Sequence, residues 1–183
     1  MSSACDGVGV GAGETLALVA IGANLGDRLA TMRAAVERIA RIDGVRVLAQ
    51  SSVYDTPPVG PPDQPRYLNA GIALATTREP RALLAELLAV EATLGRERDG
   101  TRWTARTIDL DLILFGECVV AEGDLQLPHP RFRERAFVLL PLSEIASEAR
   151  DPVTGERLES LLRACPGRSD AVRVGPLGPS VRV

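Results

Sequence analysis

Residues 16–27 read LALVAIGANLGD and decide the fold, because they join two regular elements. Residues 16–21 form a short apolar run of the kind that builds a buried strand. Beyond residue 27, apolar side chains recur at steps of three and four, the period of an amphipathic helix: Leu29, Met32, Val36 and Ile39. Asn24 or Asp27 is placed to cap the start of that helix, and Gly44 follows its end.

The rest of the chain continues the same alternation. Further strands are predicted at 45–53, 68–76 and 108–115, and a second helix begins at Pro80 and ends at Gly95. Five prolines within residues 56–65 predict a stiff loop before the third strand. The order β-α-β-β-α-β is that of an α+β, ferredoxin-like sandwich.

The C-terminal part and the two ends complete the predicted organisation. A hairpin is expected within residues 116–127, followed by a helical extension within 132–145. Gly-rich residues 1–14 and Gly-, Pro- and Arg-rich residues 166–183 are predicted to be disordered tails. Residues 15–165 are therefore expected to form a single domain.

Composition excludes several classes of protein. The 183 residues are 45% hydrophobic and 25% charged, as in an ordinary globular domain. No apolar run approaches the roughly 18 residues of a membrane span, and the N-terminus lacks the pattern of a signal peptide, so a cytoplasmic location is expected. Three dispersed cysteines argue against a disulfide framework, and a net charge of −3 argues against binding to nucleic acid.

All 21 basic residues are arginine, so no lysine is present for a P-loop, a protein-kinase site or a Schiff base. Any phosphate chemistry must therefore use arginine, metal and backbone groups. The three phenylalanines, two tyrosines, single tryptophan and single histidine all lie between residues 54 and 137. That confinement is consistent with chance or with a site.

Asp109 and Asp111 are the sharpest candidate for chemistry, since residues two apart on a strand face the same side. Mg²⁺ is commonly held by one or two carboxylates together with substrate phosphates. Just upstream lie four arginines of the kind that clamp phosphate oxygens: Arg96, Arg98, Arg102 and Arg106. The alternative is a half-exposed strand beside a solvated basic loop.

Tyr67 and Asn69 share a strand face in the same way. A tyrosine ring can stack on a flat heterocycle while an amide bonds to its edge, or the ring can simply pack on the prolines. His129 lies between two prolines in a loop, where it is well placed to reach a ligand. A catalytic base, a phosphate contact and a surface position all remain open for it.

Together these pieces resemble the 6-hydroxymethyl-7,8-dihydropterin pyrophosphokinase family over about residues 16–162. The resemblance rests on eight motifs in sequence order: AIGANLGD at 20–27, SSVYDTPPVG at 51–60, DQPRYLNA at 63–70, GR at 95–96, RW at 102–103, RTIDLD at 106–111, PHP at 128–130 and RAF at 135–137. Thr104 and Ala105 depart from the Gly-Pro that is common in the family between its Trp and Arg.

The resemblance implies a ferredoxin-like fold and transfer of pyrophosphate from MgATP to the pterin hydroxymethyl group, with release of AMP. It implies that Asp109 and Asp111 hold two Mg²⁺ ions and act with Arg96 and Arg106 as the catalytic set. The pterin would contact seven residues: Thr56, Pro58, Val59, Tyr67, Asn69, Trp103 and Phe137. ATP would contact Glu91, Arg98, His129 and Arg135.

Two other functions stay open at this point. A metal-dependent phosphohydrolase would use the carboxylate pair without needing the aromatic residues, and a non-catalytic relative would bind pterin or nucleotide without turnover. The expected partners are ATP and the pterin alone, with no nucleic acid and no membrane, and the chain is expected to be a monomer.

Overall fold

A six-stranded antiparallel sheet forms the centre of the protein in a computed structural model that describes residues 10–58, 64–96 and 106–178. The elements in chain order are β1 (Thr15–Ala23), α1 (Arg28–Ile39), β2 (Val45–Gln50), β3 (Ser52–Thr56), β4 (Tyr67–Thr76), α2 (Pro80–Thr93), β5 (Asp109–Phe115), β6 (Val120–Glu122), β7 (Leu125–Leu127), α3 (Ala136–Ala146), α4 (Leu158–Ala164) and β8 (Val172–Pro176). The strand order is β5-β1-β4-β3-β8, and β2 pairs with β4 beside β3. The predicted ferredoxin-like α+β fold is confirmed, with the C-terminal hairpin formed by β6 and β7.

One predicted strand, residues 45–53, is divided into β2 and β3 at Ser51. The Ser51 side chain accepts a hydrogen bond from Gly71 N at 2.8 Å and donates one to Ser52 O at 2.7 Å. Because the Ser51 hydroxyl replaces a backbone carbonyl as the acceptor for Gly71 N, the hydrogen-bond ladder of the sheet is interrupted there. The strand therefore changes its neighbours, and β3 lies between β4 and β8.

The caps of α1 settle which residue starts that helix. Asp27 caps it, accepting a hydrogen bond from Ala30 N at 3.1 Å. Asn24 has a different task, since its Oδ1 accepts a hydrogen bond from Arg106 N at 2.6 Å. After the helix, Gly44 has a φ of 75°, a left-handed conformation that favours glycine.

Two hydrophobic cores lie on the two faces of the sheet. One contains buried residues of α1 and α2, such as Met32, Ile39 and Leu87, packed on β1, β4 and β5. The other contains Leu139 and Leu142 of α3 with Leu158 and Leu161 of α4. We call the second side of the sheet the α3 face.

The expectation of a disordered tail at 166–183 is wrong for its described part. β8 pairs with β3, and Leu177 is fully buried in the core that contains α1. Arg33 Nε also donates to Leu177 O at 2.7 Å. Backbone pairing and one buried side chain thus order a segment whose composition alone suggested a tail.

The other boundaries stay predictions. Residues 1–9 of the N-terminal tail lie outside the described residues, and a single domain stays a prediction, with β8 and Leu177 lying beyond its expected end at residue 165. Within the described ranges, no helix is both long enough and apolar enough to cross a membrane.

Candidate active site

The site is built on one row of residues that crosses four neighbouring strands. Gly22 of β1 pairs with Asp109 of β5 on one side and with Asn69 of β4 on the other. Asn69 in turn pairs with Tyr54 of β3. Directly paired residues share a face of a sheet, so Asp109 and Asn69 point to the same side with only a glycine between them.

A first cleft lies above this row, on the α3 face, and has a cavity volume of about 100 Å³. The structure brings eight of the predicted site residues to its walls: Thr56, Tyr67, Asn69, Arg106, Asp109, Asp111, Arg135 and Phe137. Asn69 Nδ2 donates to Thr56 Oγ1 at 2.7 Å, which fixes the orientation of the amide. The Arg135 guanidinium lies 5.7 Å from the centre of the Phe137 ring.

A second cleft adjoins the first and has a cavity volume of about 280 Å³. Arg96 and His129 line it, and it shares three residues with the first cleft: Arg106, Asp109 and Asp111. The carboxylate pair therefore lies at the junction of the two clefts. A group bound in one cleft can therefore meet a group bound in the other beside these carboxylates.

Asp109 is neutralised by two guanidinium groups. Its Oδ2 pairs with Arg106 Nη1 at 2.5 Å, and its Oδ1 pairs with Arg96 Nη1. The loop that carries Arg106 is itself held by Asn24, whose backbone N donates to Arg106 O at 3.1 Å. Two arginines and one aspartate thus form a compact charged cluster at the junction.

Asp111 has a different environment, although it lies only two residues away. Burial and, next, the negative charge of Asp109 together raise its pKa to about 7. A cation between the two carboxylates would oppose both effects, because it stabilises the ionised form of each carboxyl. Carboxylate oxygens are the ligands that Mg²⁺ prefers, and the donors of this pair fit that ion. The described residues contain no group of three or more side chains suited to hold a metal, so phosphate or water oxygens would have to complete the shell.

His129 is held in the neutral form in the absence of ligand. Burial and, next, the nearby Arg135 charge together lower its pKa to about 4. Its backbone N donates to Ile113 O at 2.9 Å, and its Nδ1 accepts from Arg131 N at 3.2 Å. With Nδ1 as an acceptor, the proton lies on Nε2, so that nitrogen is a hydrogen-bond donor.

Glu91 lies inside the protein, with 1% of its surface exposed. Its Oε1 accepts from Leu110 N at 2.7 Å and pairs with Arg96. The carboxylate is therefore directed at the backbone of β5 and at a cleft arginine. Contact between Glu91 and the ribose of ATP stays a prediction.

Other predicted residues do not line the described clefts or cannot be placed. Pro58 is half-buried, whereas its neighbour Pro57 lines the first cleft. Val59, Arg98 and Trp103 lie outside the described residues.

Small residues that the sequence reasoning missed form part of the first cleft. Ala20 and Gly22 line it where β1 passes between β4 and β5. A Cβ at Gly22 would lie 3.1 Å from Asn69 Oδ1, so a larger residue would press on that amide. Glycine within a strand often marks a position that another group approaches closely, and Gly22 was such a signal in the sequence.

An α+β domain that places a carboxylate pair and two arginines between an aromatic cleft and a second cleft has the features of an enzyme that transfers phosphate groups between small molecules. A family model described as 7,8-dihydro-6-hydroxymethylpterin-pyrophosphokinase (HPPK) matches residues 18–147. The chain belongs to this HPPK family, as its motifs predicted.

Relatives of known name agree with this assignment. A Methylorubrum extorquens protein is 46% identical over 134 residues, which cover 73% of this chain and 84% of the relative. A Pseudomonas aeruginosa protein is 43% identical over 148 residues, covering 81% and 90%. Both are named 2-amino-4-hydroxy-6-hydroxymethyldihydropteridine pyrophosphokinase.

Solved structures share the fold. The crystal structure of a Plasmodium falciparum HPPK-DHPS variant with pterin and p-hydroxybenzoate has a TM-score of 0.69 and 11% identity, and the match covers 87% of this chain and 47% of that one. This chain thus spans about half the length of the solved protein. At such low identity the likeness concerns the fold alone.

Proposed function

We propose that this chain transfers pyrophosphate from ATP to the hydroxymethyl group of 6-hydroxymethyl-7,8-dihydropterin, a step of folate biosynthesis that releases AMP. The observation that carries the proposal is the shared position of Asp109 and Asp111 in two adjoining clefts. Membership of the HPPK family supports the identity of both substrates.

The first cleft is assigned to the pterin. Tyr67 and Phe137 are expected to stack on the flat ring system, because aromatic rings bind planar heterocycles through their faces. Asn69 would bond to the ring edge with its remaining amide groups, while Thr56 fixes the orientation of that amide. Pro58, Val59 and Trp103 would complete the enclosure.

The second cleft is assigned to ATP. His129 would donate from Nε2 to a phosphate oxygen, and Arg135 would add its positive charge from the side of the first cleft. Glu91 and Arg98 are the other expected nucleotide contacts. The neutral His129 can donate to a phosphate oxygen, because its one proton lies on Nε2.

Asp109 and Asp111 would hold two Mg²⁺ ions at the junction of the clefts. When bound, the ions neutralise phosphate charge and lower the pKa of the attacking hydroxyl group. Arg96 and Arg106, which pair with Asp109 in the metal-free protein, would turn toward the phosphates when the carboxylate binds metal. Asp111 or Asp109 would be the carboxylate that accepts the hydroxyl proton.

A metal-dependent phosphohydrolase is not favoured, because that activity requires no aromatic cleft beside the carboxylates. A non-catalytic pterin-binding relative is disfavoured by the retention of both aspartates and of Arg96 and Arg106. A monomer and a cytoplasmic location stay predictions, to be checked by light scattering and by cell fractionation.

The product assay tests the proposal. The protein, ATP, Mg²⁺ and the hydroxymethyl pterin are expected to yield AMP and a pyrophosphorylated pterin in equal amounts, measured by chromatography with phosphorus NMR. Asp111→Asn serves as the inactive control. Formation of ADP, or loss of ATP at the same rate without the pterin, would refute the proposal.

A further inference from the structure

Glu144 of α3 connects this helix to the edge of the sheet through a set of directional hydrogen bonds. Its Oε2 accepts from Ser52 N at 3.1 Å and from Tyr54 Oη at 2.9 Å. Its Oε1 accepts from Ser52 Oγ at 2.8 Å. One carboxylate therefore receives three hydrogen bonds from two residues of β3.

The same two elements both contribute residues to the walls of the first cleft. Ser52, Tyr54 and Thr56 alternate along β3 and so point to one side of the sheet, and Thr56 lines the cleft. Phe137 lies seven residues before Glu144 in α3, which is about two helical turns or ~10 Å along the same face. Glu144 thus ties α3 to β3 at one end, while Phe137 and Thr56 line the cleft farther along the same two elements.

The first half of β3 does not pair with β4, although the adjoining Ser51 is hydrogen-bonded to Gly71 of that strand. Its register with β4 covers only residues 54–56, and Ser52 and Val53 pair instead with β8. Arg173 of β8 joins the same cluster, since its Nε donates to Ser52 Oγ at 2.7 Å. Apolar contacts of α3 are less directional than hydrogen bonds and permit small slides of packed elements.

We infer that Glu144 is a positioning residue for the first cleft, because its bonds to Ser52 and Tyr54 fix the distance between Phe137 on α3 and Thr56 on β3. The inference rests on the proposed function, which assigns this cleft to the pterin. Glu144 does not line the cleft and acts only through the placement of α3 and β3. Its removal should widen or shift the pterin slot and leave the second cleft, lined by Arg96 and His129, in place.

The test measures two affinities of the full-length Glu144→Ala variant. Calorimetry would give the Kd of a non-hydrolysable ATP analogue with Mg²⁺, and then the Kd of the pterin with that analogue saturating. We expect the pterin Kd to rise about tenfold, as is typical of misplaced binding groups, while the analogue Kd stays within about twofold. The KM for the pterin should rise with it, and the KM for ATP should not.

Matched variants separate positioning from general loss of stability. Glu159→Ala removes another helical glutamate that pairs with an arginine, Arg163, but lies on α4 away from β3, and it should leave both Kd values unchanged. Glu144→Gln keeps one acceptor oxygen and should recover part of the pterin affinity. If Glu144→Ala fails to fold, Tyr54→Phe removes one of the three bonds and should raise the pterin Kd by a smaller factor.

The outcomes are distinct. An unchanged pterin Kd in Glu144→Ala, or equal weakening of pterin and analogue, would overturn the inference. Failure of the unmodified protein to bind the pterin at all would instead refute the proposed function.

Discussion

Replacing Asp111 by asparagine is expected to stabilise the metal-free protein, and to do so more at high pH than at low pH. Burial raises the pKa of Asp111 to about 7, with the charge of Asp109 as the second cause, against 3.8 for a free side chain. A carboxyl whose pKa is raised on folding binds its proton more tightly in the folded state. Its ionisation therefore lowers stability as pH rises from about 4 to 7, and the penalty is constant above that range.

The magnitude follows from the width of that range. Each pH unit between the two pKa values contributes about 1.4 kcal/mol, so the two units from pH 5 to pH 7 give at most about 2.7 kcal/mol. Relaxation of the site and partial solvation of the carboxylate reduce this value. We expect the stability gain of Asp111→Asn to be larger at pH 8 than at pH 5 by about 1–2.5 kcal/mol.

Urea unfolding in EDTA at pH 5, 6, 7 and 8 measures this difference directly. Asp109→Asn is the matched control and should change stability in the opposite direction at pH 8, because Arg96 and Arg106 lose their shared partner. Added Mg²⁺ should stabilise the unmodified protein and not Asp111→Asn. If Asp111→Asn raises the free energy of unfolding equally at all four pH values, the Asp111 carboxyl does not have a raised pKa in the folded protein.

Three further predictions test the rest of the structure. Tyr67→Ala should raise the Kd of the pterin by about tenfold or more and leave that of an ATP analogue nearly unchanged, since only a stacking face is lost; equal effects on both ligands in calorimetry would contradict this. Asp151→Ala should lower the free energy of unfolding by about 2–4 kcal/mol, because the fully buried carboxylate accepts two hydrogen bonds from Arg133 and one each from Val153 N and Thr154 Oγ1. Chemical denaturation measures this loss, with the exposed Glu159→Ala as control. Gly71→Ala should lower the unfolding free energy by about 1–3 kcal/mol, because the new Cβ would lie 2.7 Å from Leu142 Cδ2, and a thermal midpoint equal to that of the unmodified protein would refute it.

Local periodicity predicted much of the site. Asp109 and Asp111 were expected to share a face because they lie two residues apart on a strand, and both line the same two clefts. Tyr67 and Asn69 followed from the same rule. The α+β fold was predictable for a similar reason, since helical and strand periods alternate along the chain.

Contacts between distant parts of the chain were not predictable in this way. The row that places Gly22 between Asn69 and Asp109 depends on strand register, which is set by pairing across the sheet. The burial of Glu91 against Leu110 N depends on how α2 packs on β5. For β8 the composition was misleading, because the partner that orders it, β3, lies more than a hundred residues away.

The exclusive use of arginine suits this half-buried, charged site. Burial lowers the pKa of Arg135. The unperturbed pKa of a guanidinium group is nevertheless so high that Arg135 keeps its charge at neutral pH. A lysine in the same place has a lower unperturbed pKa and would lose its charge more readily on burial. It would also offer no planar pair of donors to a phosphate. Arg106 is under the same burial, but the Asp109 carboxylate outweighs it and raises the pKa of Arg106. Arginines can therefore compensate Asp109 before substrate binds and remain charged when phosphate groups bind in the clefts.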